Sequence, residues 1–566
     1  MANGVFKIPV AVNEPIKQFE PGSLDREKLK QTLKEMRSQV LDIPMYIGDK
    51  EVRTGKKVAL TCPHDHKHIL GYYHKGDKTH VKQAIAAAMK AKKKWMEMPW
   101  EHRAAIFLKA AELLAGPYRY KIVAATMLGQ SKNVYQAEID SACESIDFLR
   151  FNVKYMTEIY SQQVDSTSAM WNRLEWRPLE GFIYALTPFN FTAIGLNLTS
   201  SCAMMGNTVV WKQSGTAIFS AYYIMEVFRK AGVPAGVINW IHAGGAETAE
   251  VVLNSPDFGG IHFTGSTEVF RSIWKKIGEN IHIYKSYPRI VGETGGKDFI
   301  MGHKSADPKV LATAILRGAF EYQGQKCSAC SRAYIPSNLW KEVKKIFTDE
   351  IASMKVGPTE DLGNFINAVI DEASFDKITS YIDRAKKDRK EAQVIIGGNY
   401  DKSKGYFIQP TIIQAKNPTY RTMCEEIFGP VLTIHVYDEN KFEKTLDIVN
   451  NTSPYALTGA IIAQDREAIA LAEKKLVHAA GNFYINDKCT GAVVGQQPFG
   501  GARASGTDDK AGHMINLLRW VAPRTIKELF VPPTDYRYPF LLPDKRQNGQ
   551  VTEPNISVKK KELEKN

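Results

Sequence analysis

A chain of 566 residues, 44% of them apolar and 24% charged, is too long for one core and too apolar to stay disordered, so two or three folded domains are expected. Seven cysteines scattered at positions 62, 143, 202, 327, 330, 424 and 489 exclude the dense framework of a secreted disulfide protein, and no uninterrupted apolar run is long enough for a membrane span. The net charge of +13 suits an anionic cofactor or substrate, but basic residues are spread along the chain instead of gathered into a stripe, which argues against nucleic acid.

Residues 1–60 read as an irregular arm with one amphipathic helix, "LDREKLKQTLKEMRSQVL", expected to wrap a larger body. The N-terminus reads neither as a signal peptide nor as a presequence, which points to the cytoplasm, or to the mitochondrial matrix for a eukaryotic source. From "KTHVKQAIAAAMKAKKKW" to "ESIDFLRFNVKYMTEIY" the spacing predicts a layer of helices. Strands and helices then alternate: "GFIYALTP", "NTVVWKQ", "GVINWIHA" and "GGIHFTGS" are strands ending in turn residues, the signature of a doubly wound α/β unit. Such sheets bind ligands beyond the carboxyl ends of their strands, so "TPFN", "KQS", "HA" and "TGS" fall on one rim, where a cofactor is expected. A second α/β unit follows "GETGGK", with strands "RAYIP", "AQVIIGG", "GPVLTIHVY" and "LTGAIIA". The boundaries that result are an arm at 1–60, a first domain from 61–163 and 182–296, a second at 297–510, strand-like oligomerisation segments at 164–181 and 511–545 whose pairing between subunits would explain them, and a charged tail at 546–566.

Three motifs carry chemistry. Thr264-Gly265-Ser266 ends a strand where a helix begins, presenting backbone N–H groups and a hydroxyl to an anion such as a pyrophosphate, although Gly-Ser is also an ordinary N-cap. Cys327 and Cys330 form a CxxC without the second pair of ligands that zinc needs, and the alternating Cys62, His64, His66 and His68 sit in a Pro-containing loop, so no metal is expected. A thioredoxin-like redox pair needs a different compact fold. One working thiol, Cys327, remains, and Glu293 at the end of a strand running into glycines could serve it as a base.

Taken together, "TPFNF", "WKQS", "FTGST", "GETGGK", "GQKCSAC" and "EEIFGPV" resemble the aldehyde dehydrogenase superfamily in order and spacing. The resemblance implies an α/β fold with a Rossmann-type NAD-binding domain, an α/β catalytic domain and a small β oligomerisation flap. Within that superfamily, "AEIDSACESIDFLRFN" and "FYINDKCTGAVVGQQPFGGARASGTDDK" are similar to enzymes that oxidise L-glutamate γ-semialdehyde to glutamate in proline degradation. By that resemblance Cys327 is the nucleophile, Asn190 the oxyanion-hole donor and Glu293 the general base. Thr187, Pro188, Lys212, Gly265, Ser266, Glu426 and Phe428 would hold NAD. Glu144, Phe191, Lys326, Ser328, Gly491, Ala492 and Phe499 would hold the substrate.

Two departures stand out. Gln213 and Gly215 occupy positions where the superfamily often has proline and an acid, and Ala492 stands where a serine hydroxyl would meet the carboxylate. The implied partners are a second copy of the chain, as a homodimer or higher homo-oligomer, and a proline dehydrogenase that supplies substrate. Alternative readings are an NAD(P)-dependent dehydrogenase of another anionic aldehyde, such as succinate semialdehyde, and a catalytically silent structural paralogue, against which the intact Cys327, Glu293 and Asn190 speak.

Overall fold

The computed structural model describes residues 4–542, so the charged tail at 546–566 lies outside the described residues. The chain divides into two compact units, Met1–Gln162 with Trp176–Pro523 and Gln163–Glu175 with Arg524–Asn566.

The larger unit is built on two seven-stranded sheets. The first runs in the order Arg289–Glu293, Phe258–Thr264, Phe182–Thr187, Val209–Gln213, Ile238–Ile241, Met45–Ile47, Lys50–Val52. Its first five strands are parallel, and the last two join antiparallel. The central strand "FIYALT" is buried along nearly its whole length, as a parallel strand covered by helices on both faces must be. Phe182 and Tyr184 pack into the apolar layer on one face, and Ile183 and Ala185 into the layer on the other, which is the period-two alternation of a strand. Register aligns the strand ends: Thr264 faces Glu293, Leu186 faces Lys212, and Lys212 faces Ile241. The strand ends expected to face a ligand therefore share one rim of this sheet.

The second sheet runs Ala392–Ile396, Thr411–Ala415, Val431–Tyr437, Cys330–Pro336, Asp298–Gly302, Thr458–Ile462, Asn482–Ile485, parallel throughout except at its first strand. Phe299 and Met301 face one core and Ile300 the other.

Two sequence expectations need adjustment. The arm helix is shorter than its periodic pattern: it runs Leu24–Arg37, capped by the Ser23 hydroxyl, and the chain then forms a strand at Leu41–Ile43. Met45–Ile47 and Lys50–Val52, assigned to the arm, instead extend the first sheet, because three-residue strands are too short to show alternation. The arm also threads side chains into the helical layer: Asn13 Nδ2 donates to Asp147 at 2.8 Å, and the buried Arg119 guanidinium bonds both Glu14 and Glu138.

The expected strand-like pieces form a two-stranded ribbon within one chain, built from Met170–Pro178 and Val521–Leu529, of which residues 170–175 and 524–529 belong to the smaller unit. Arg173 pairs with Glu528 at 2.8 Å and Arg524 with Glu175 at 2.6 Å across it.

Candidate active site

The helix Pro308–Phe320 starts with Asp307 accepting the Lys309 and Val310 N–H groups and with proline at its first position. It stops abruptly because Tyr322, Gln323 and Gly324 are all left-handed, with φ of 49°, 54° and 65°. That conformation costs roughly 1–2 kcal/mol for each non-glycine residue. It is held by side-chain bonds: Tyr322 OH donates to Gln130 O at 3.0 Å, and Gln323 Nε2 donates to Ser131 O at 3.0 Å and Ala368 O at 2.9 Å. The reversal brings Gln325–Ser328 to the head of the strand Cys330–Pro336.

Here the two cysteines part company. Cys327 is partly exposed, whereas Cys330 is buried in the core of the second sheet, its Sγ 3.5 Å from Arg332 O. Asn190 Nδ2 donates to Gln325 O at 3.2 Å, which anchors the carboxamide beside the nucleophile's loop and leaves its second N–H. Gly296 is required by close approach: a Cβ there would lie 2.1 Å from Cys327 O and 2.4 Å from Asp298 Oδ2.

The electrostatics are those of a thiol among carboxyl groups. Burial pushes the Cys327 thiol well up, and Glu293, Asp298 and Glu426 push it further. Glu293 is itself raised well above the carboxylate range, first by burial and then by Asp508 and Asp509, against the opposing pull of Lys510 and the Gly501 N–H. Its Oε2 has no hydrogen-bond partner among the described residues. The carboxylate form of Glu293, which accumulates as the pH rises, is suited to accept a proton from the thiol or from water.

Along the rim, the Ser266 hydroxyl caps the helix Thr267–Glu279 by accepting from Val269 N at 3.4 Å, with Gly265 immediately before it. Glu426 Oε1 accepts the Gly296 N–H at 2.9 Å, and Phe428, at φ 64°, sets its ring edge-on to Phe189 at 5.8 Å. Lys212 is half-buried and lowered by burial alone. Thr187 and Pro188 differ from expectation. Gln213 clamps both: its Oε1 accepts the Thr187 hydroxyl at 2.5 Å and its Nε2 donates to Pro188 O at 2.5 Å, while Trp211 Nε1 donates to the same threonine. The Thr187 hydroxyl is spent inside the protein, so these two residues offer a cofactor only their surface.

These residues fit a dinucleotide. The helix beginning at Thr267 presents unpaired N–H groups for a pyrophosphate, and Lys212 has no ion-pair partner among the described residues.

Of the substrate candidates, Glu144 ends the π-helical turn Glu138–Glu144, and burial and Asp140 push its carboxyl well up while Lys132 and Lys326 oppose. Phe191 begins the helix Thr192–Met204, its ring 4.0 Å from Lys132 Nζ. Ser328 Oγ bonds Thr490 Oγ1 at 2.8 Å, tying the nucleophile's loop to the stretch carrying Gly491 and Ala492. Phe499 is fixed by a backbone pair with Ala511, at 3.0 and 2.7 Å. Lys326 departs from expectation: its buried ammonium is committed to Glu321 Oε2 at 2.9 Å, and the same carboxylate takes Lys488 Nζ at 2.6 and 2.8 Å. The two lysines hold the Glu321 carboxyl down at about 2.

Glu321, Lys488, Thr490 and the buried pair Lys132–Asp140, at 2.6 Å, were not singled out from sequence. Asp140 also accepts the Thr192 and Ala193 N–H groups at 3.1 and 3.0 Å, so one carboxylate fixes both a lysine and the first turn of a helix. Glu321→Ala will strand two ammonium groups and is expected to destabilise the fold by about 3 kcal/mol, read from urea unfolding, with Glu321→Gln losing less. The stretch Cys62–His68, expected as a loop, instead joins two antiparallel strands, Lys57–Cys62 and Asp65–His74, and its residues have separate engagements: His64 Nδ1 bonds Ser131 Oγ, His64 Nε2 lies 3.0 Å from Glu360, and His66 Nε2 bonds Lys402 O.

Two mostly parallel sheets carry a thiol, a carboxamide and a raised carboxyl, and the chain belongs to the aldehyde dehydrogenase family, whose model matches residues 51–525. It is 54% identical over 538 residues to the mitochondrial delta-1-pyrroline-5-carboxylate dehydrogenase of Dictyostelium discoideum, covering 94% of this chain and 96% of that protein. The human mitochondrial protein of the same name is 46% identical over 530 residues, with 94% of each chain covered. The crystal structure of the Mycobacterium tuberculosis delta-pyrroline-5-carboxylate dehydrogenase bound with NAD superposes with a TM-score of 0.92 at 48% identity, covering 96% of this chain and all of that one.

Proposed function

We propose that the chain oxidises L-glutamate γ-semialdehyde, the open form of Δ1-pyrroline-5-carboxylate, to L-glutamate with NAD, the second step of proline degradation. The observation that carries the reading is the near full-length similarity to dehydrogenases of that name. Cys327, Asn190 and Glu293 carry the chemistry. The Cys327 sulfur adds to the aldehyde carbon, its proton passing to Glu293 or solvent. The oxyanion of the resulting thiohemiacetal is met by the free Asn190 N–H and the Cys327 backbone N–H, an arrangement worth about 3 kcal/mol of barrier. NAD supplies a hydride acceptor. Once the thioester has formed on Cys327, Glu293 takes a proton from water, the water oxygen bonds the acyl carbon, and the carbon–sulfur bond breaks to release the carboxylate and the thiol.

Lys212, Ser266, Glu426 and Phe428 hold the cofactor. The Glu144 carboxylate faces the substrate ammonium, Ser328 and the backbone at Gly491 and Ala492 take its α-carboxylate, and Phe191 and Phe499 bracket its methylenes. Lys326 acts through its pairing with Glu321 and Lys488, a group of net positive charge beside the carboxylate end. The ribbon of Met170–Pro178 and Val521–Leu529 is the oligomerisation element, because a two-stranded sheet leaves each strand with one unpaired edge to offer a second copy of the chain. A proline dehydrogenase is the partner whose product this enzyme consumes, and the mitochondrial names of the relatives favour the matrix. Among the described residues no helix is long and apolar enough to cross a membrane.

The test is a comparison of kcat/KM for glutamate semialdehyde and succinate semialdehyde under NAD. An unpaired buried polar group costs about 1–3 kcal/mol, so the amino acid aldehyde is expected to win by roughly five- to hundredfold. Equal values would remove the substrate assignment and leave aldehyde oxidation standing.

A further inference from the structure

In nucleotide-binding sheets of this kind, an acidic residue beyond a strand end commonly takes the 2′-hydroxyl of the adenosine ribose, and its charge repels the 2′-phosphate of NADP. The strand that carries Lys212 ends here in "KQSGTA", with no acid. Gly215 is the only glycine of that turn, and the one atom a Cβ there would meet within 4 Å is the Tyr73 hydroxyl, at 3.5 Å. Tyr73 comes from Asp65–His74, a strand outside the nucleotide-binding sheet. Its hydroxyl bonds none of the described residues, and its ring lies edge-on to His242 at 5.4 Å.

The remaining groups of this corner are neutral, cationic, or carboxylates that already have partners. Lys212 has burial as the sole influence on its ammonium, so no carboxylate compensates it. The charged form of the buried His242 is opposed first by burial and then by the charges of His74 and Lys212, against a favourable contact with the His74 backbone. The hydroxyls of Ser214 and Thr216, which flank Gly215, bond only each other among the described residues, at 3.3 Å. The acid of the next strand-to-helix loop, Glu247, is occupied by the Lys78 N–H at 3.1 Å, and Asp42 is paired with His74, Lys57 and Arg53.

We infer that Tyr73 replaces the missing carboxylate: its hydroxyl bonds the 2′-hydroxyl of the adenosine ribose, and because Lys212, Ser214 and Thr216 stand beside it without an acid, the same corner also accepts the 2′-phosphate of NADP. This specificity-determining role rests on the NAD-dependent reading above. A phenol both donates and accepts, so it serves a ribose hydroxyl as well as a carboxylate does without excluding a phosphate dianion. The arrangement also explains why Gly215 carries no side chain, since the space in front of it belongs to another element.

Direct binding of NAD+ and of NADP+ to the intact protein, followed by isothermal titration calorimetry, tests this without reference to turnover. The unmodified chain is expected to bind the two within about tenfold of each other. Gly215→Glu, at a position with negative φ and only an ordinary contact to a new Cβ, is expected to weaken NADP+ at least tenfold and to leave NAD+ within about threefold. Tyr73→Phe is expected to weaken NAD+ by about three- to tenfold and NADP+ by less. An unmodified protein that favours NAD+ by more than hundredfold, or a Tyr73→Phe variant with its NAD+ affinity unchanged, overturns the inference while leaving the NAD-dependent reading intact. Failure of the unmodified chain to bind either dinucleotide overturns both.

Discussion

Cys327→Ala will abolish dehydrogenase turnover, by at least about 10⁴-fold in kcat/KM, while Cys330→Ala will keep most of it. The two thiols are two residues apart in sequence but differ in surroundings. Cys327 is partly exposed at the head of its strand, beside Asn190's anchor on Gln325 and under the influence of Glu293. Cys330 packs among Ile300, Ile315 and Ala333, and its sulfur bonds the Arg332 carbonyl and the Cys489 thiol. Removing the first takes away the atom that bonds the substrate. Removing the second deletes one buried sulfur, a loss of about 1 kcal/mol in stability and little in rate. Steady-state rates for both variants, with a stopped-flow trace to look for any first turnover, will separate the cases. Equal losses would bring back a paired role for the two cysteines.

Glu293→Gln will leave the first hydride transfer and slow hydrolysis of the thioester, by about 10²–10⁴-fold. The expected trace is a burst of one NADH per site followed by a slow steady state. Burial raises the Glu293 carboxyl well above the carboxylate range, so its basic form accumulates only as the pH climbs. The unmodified enzyme should therefore show a steady-state rate that rises with pH on a limb displaced upward from ordinary carboxylates, and the glutamine variant should lose that limb. Loss of the burst itself would assign Glu293 to ionising Cys327, whose thiol is also pushed up, and not to water alone.

How much of this was legible in the sequence depends on range. Strands such as "FIYALT" and "VLTIHVY" declare themselves by apolar runs bounded by glycine and proline, and the motif residues fall on one rim because parallel strands must end together. What stayed hidden is the pairing of charges across long separations. Glu321 and Lys488 are 167 positions apart, and nothing local in either stretch signals that Lys326 is already engaged. Gln213 looked like a departure from a pattern, and only its contacts reveal that it ties off Thr187 and Pro188. The short strands Met45–Ile47 and Lys50–Val52 were lost in the arm because a strand of three residues has no period to read.

The left-handed run Tyr322–Gln323–Gly324 also bears on how this enzyme can change under selection. A glycine at either of the first two positions would relieve backbone strain of roughly 1–2 kcal/mol. At Tyr322 it would forfeit the bond to Gln130 O and an entire buried ring, and at Gln323 the bonds to Ser131 O and Ala368 O, each worth about 1 kcal/mol. At Gln323 the two effects nearly cancel, and at Tyr322 the loss dominates. Neither substitution offers a path to higher thermostability, so a search for hardier variants will find its gains elsewhere, and the loop that presents the nucleophile will resist drift although two of its residues pay for their conformation.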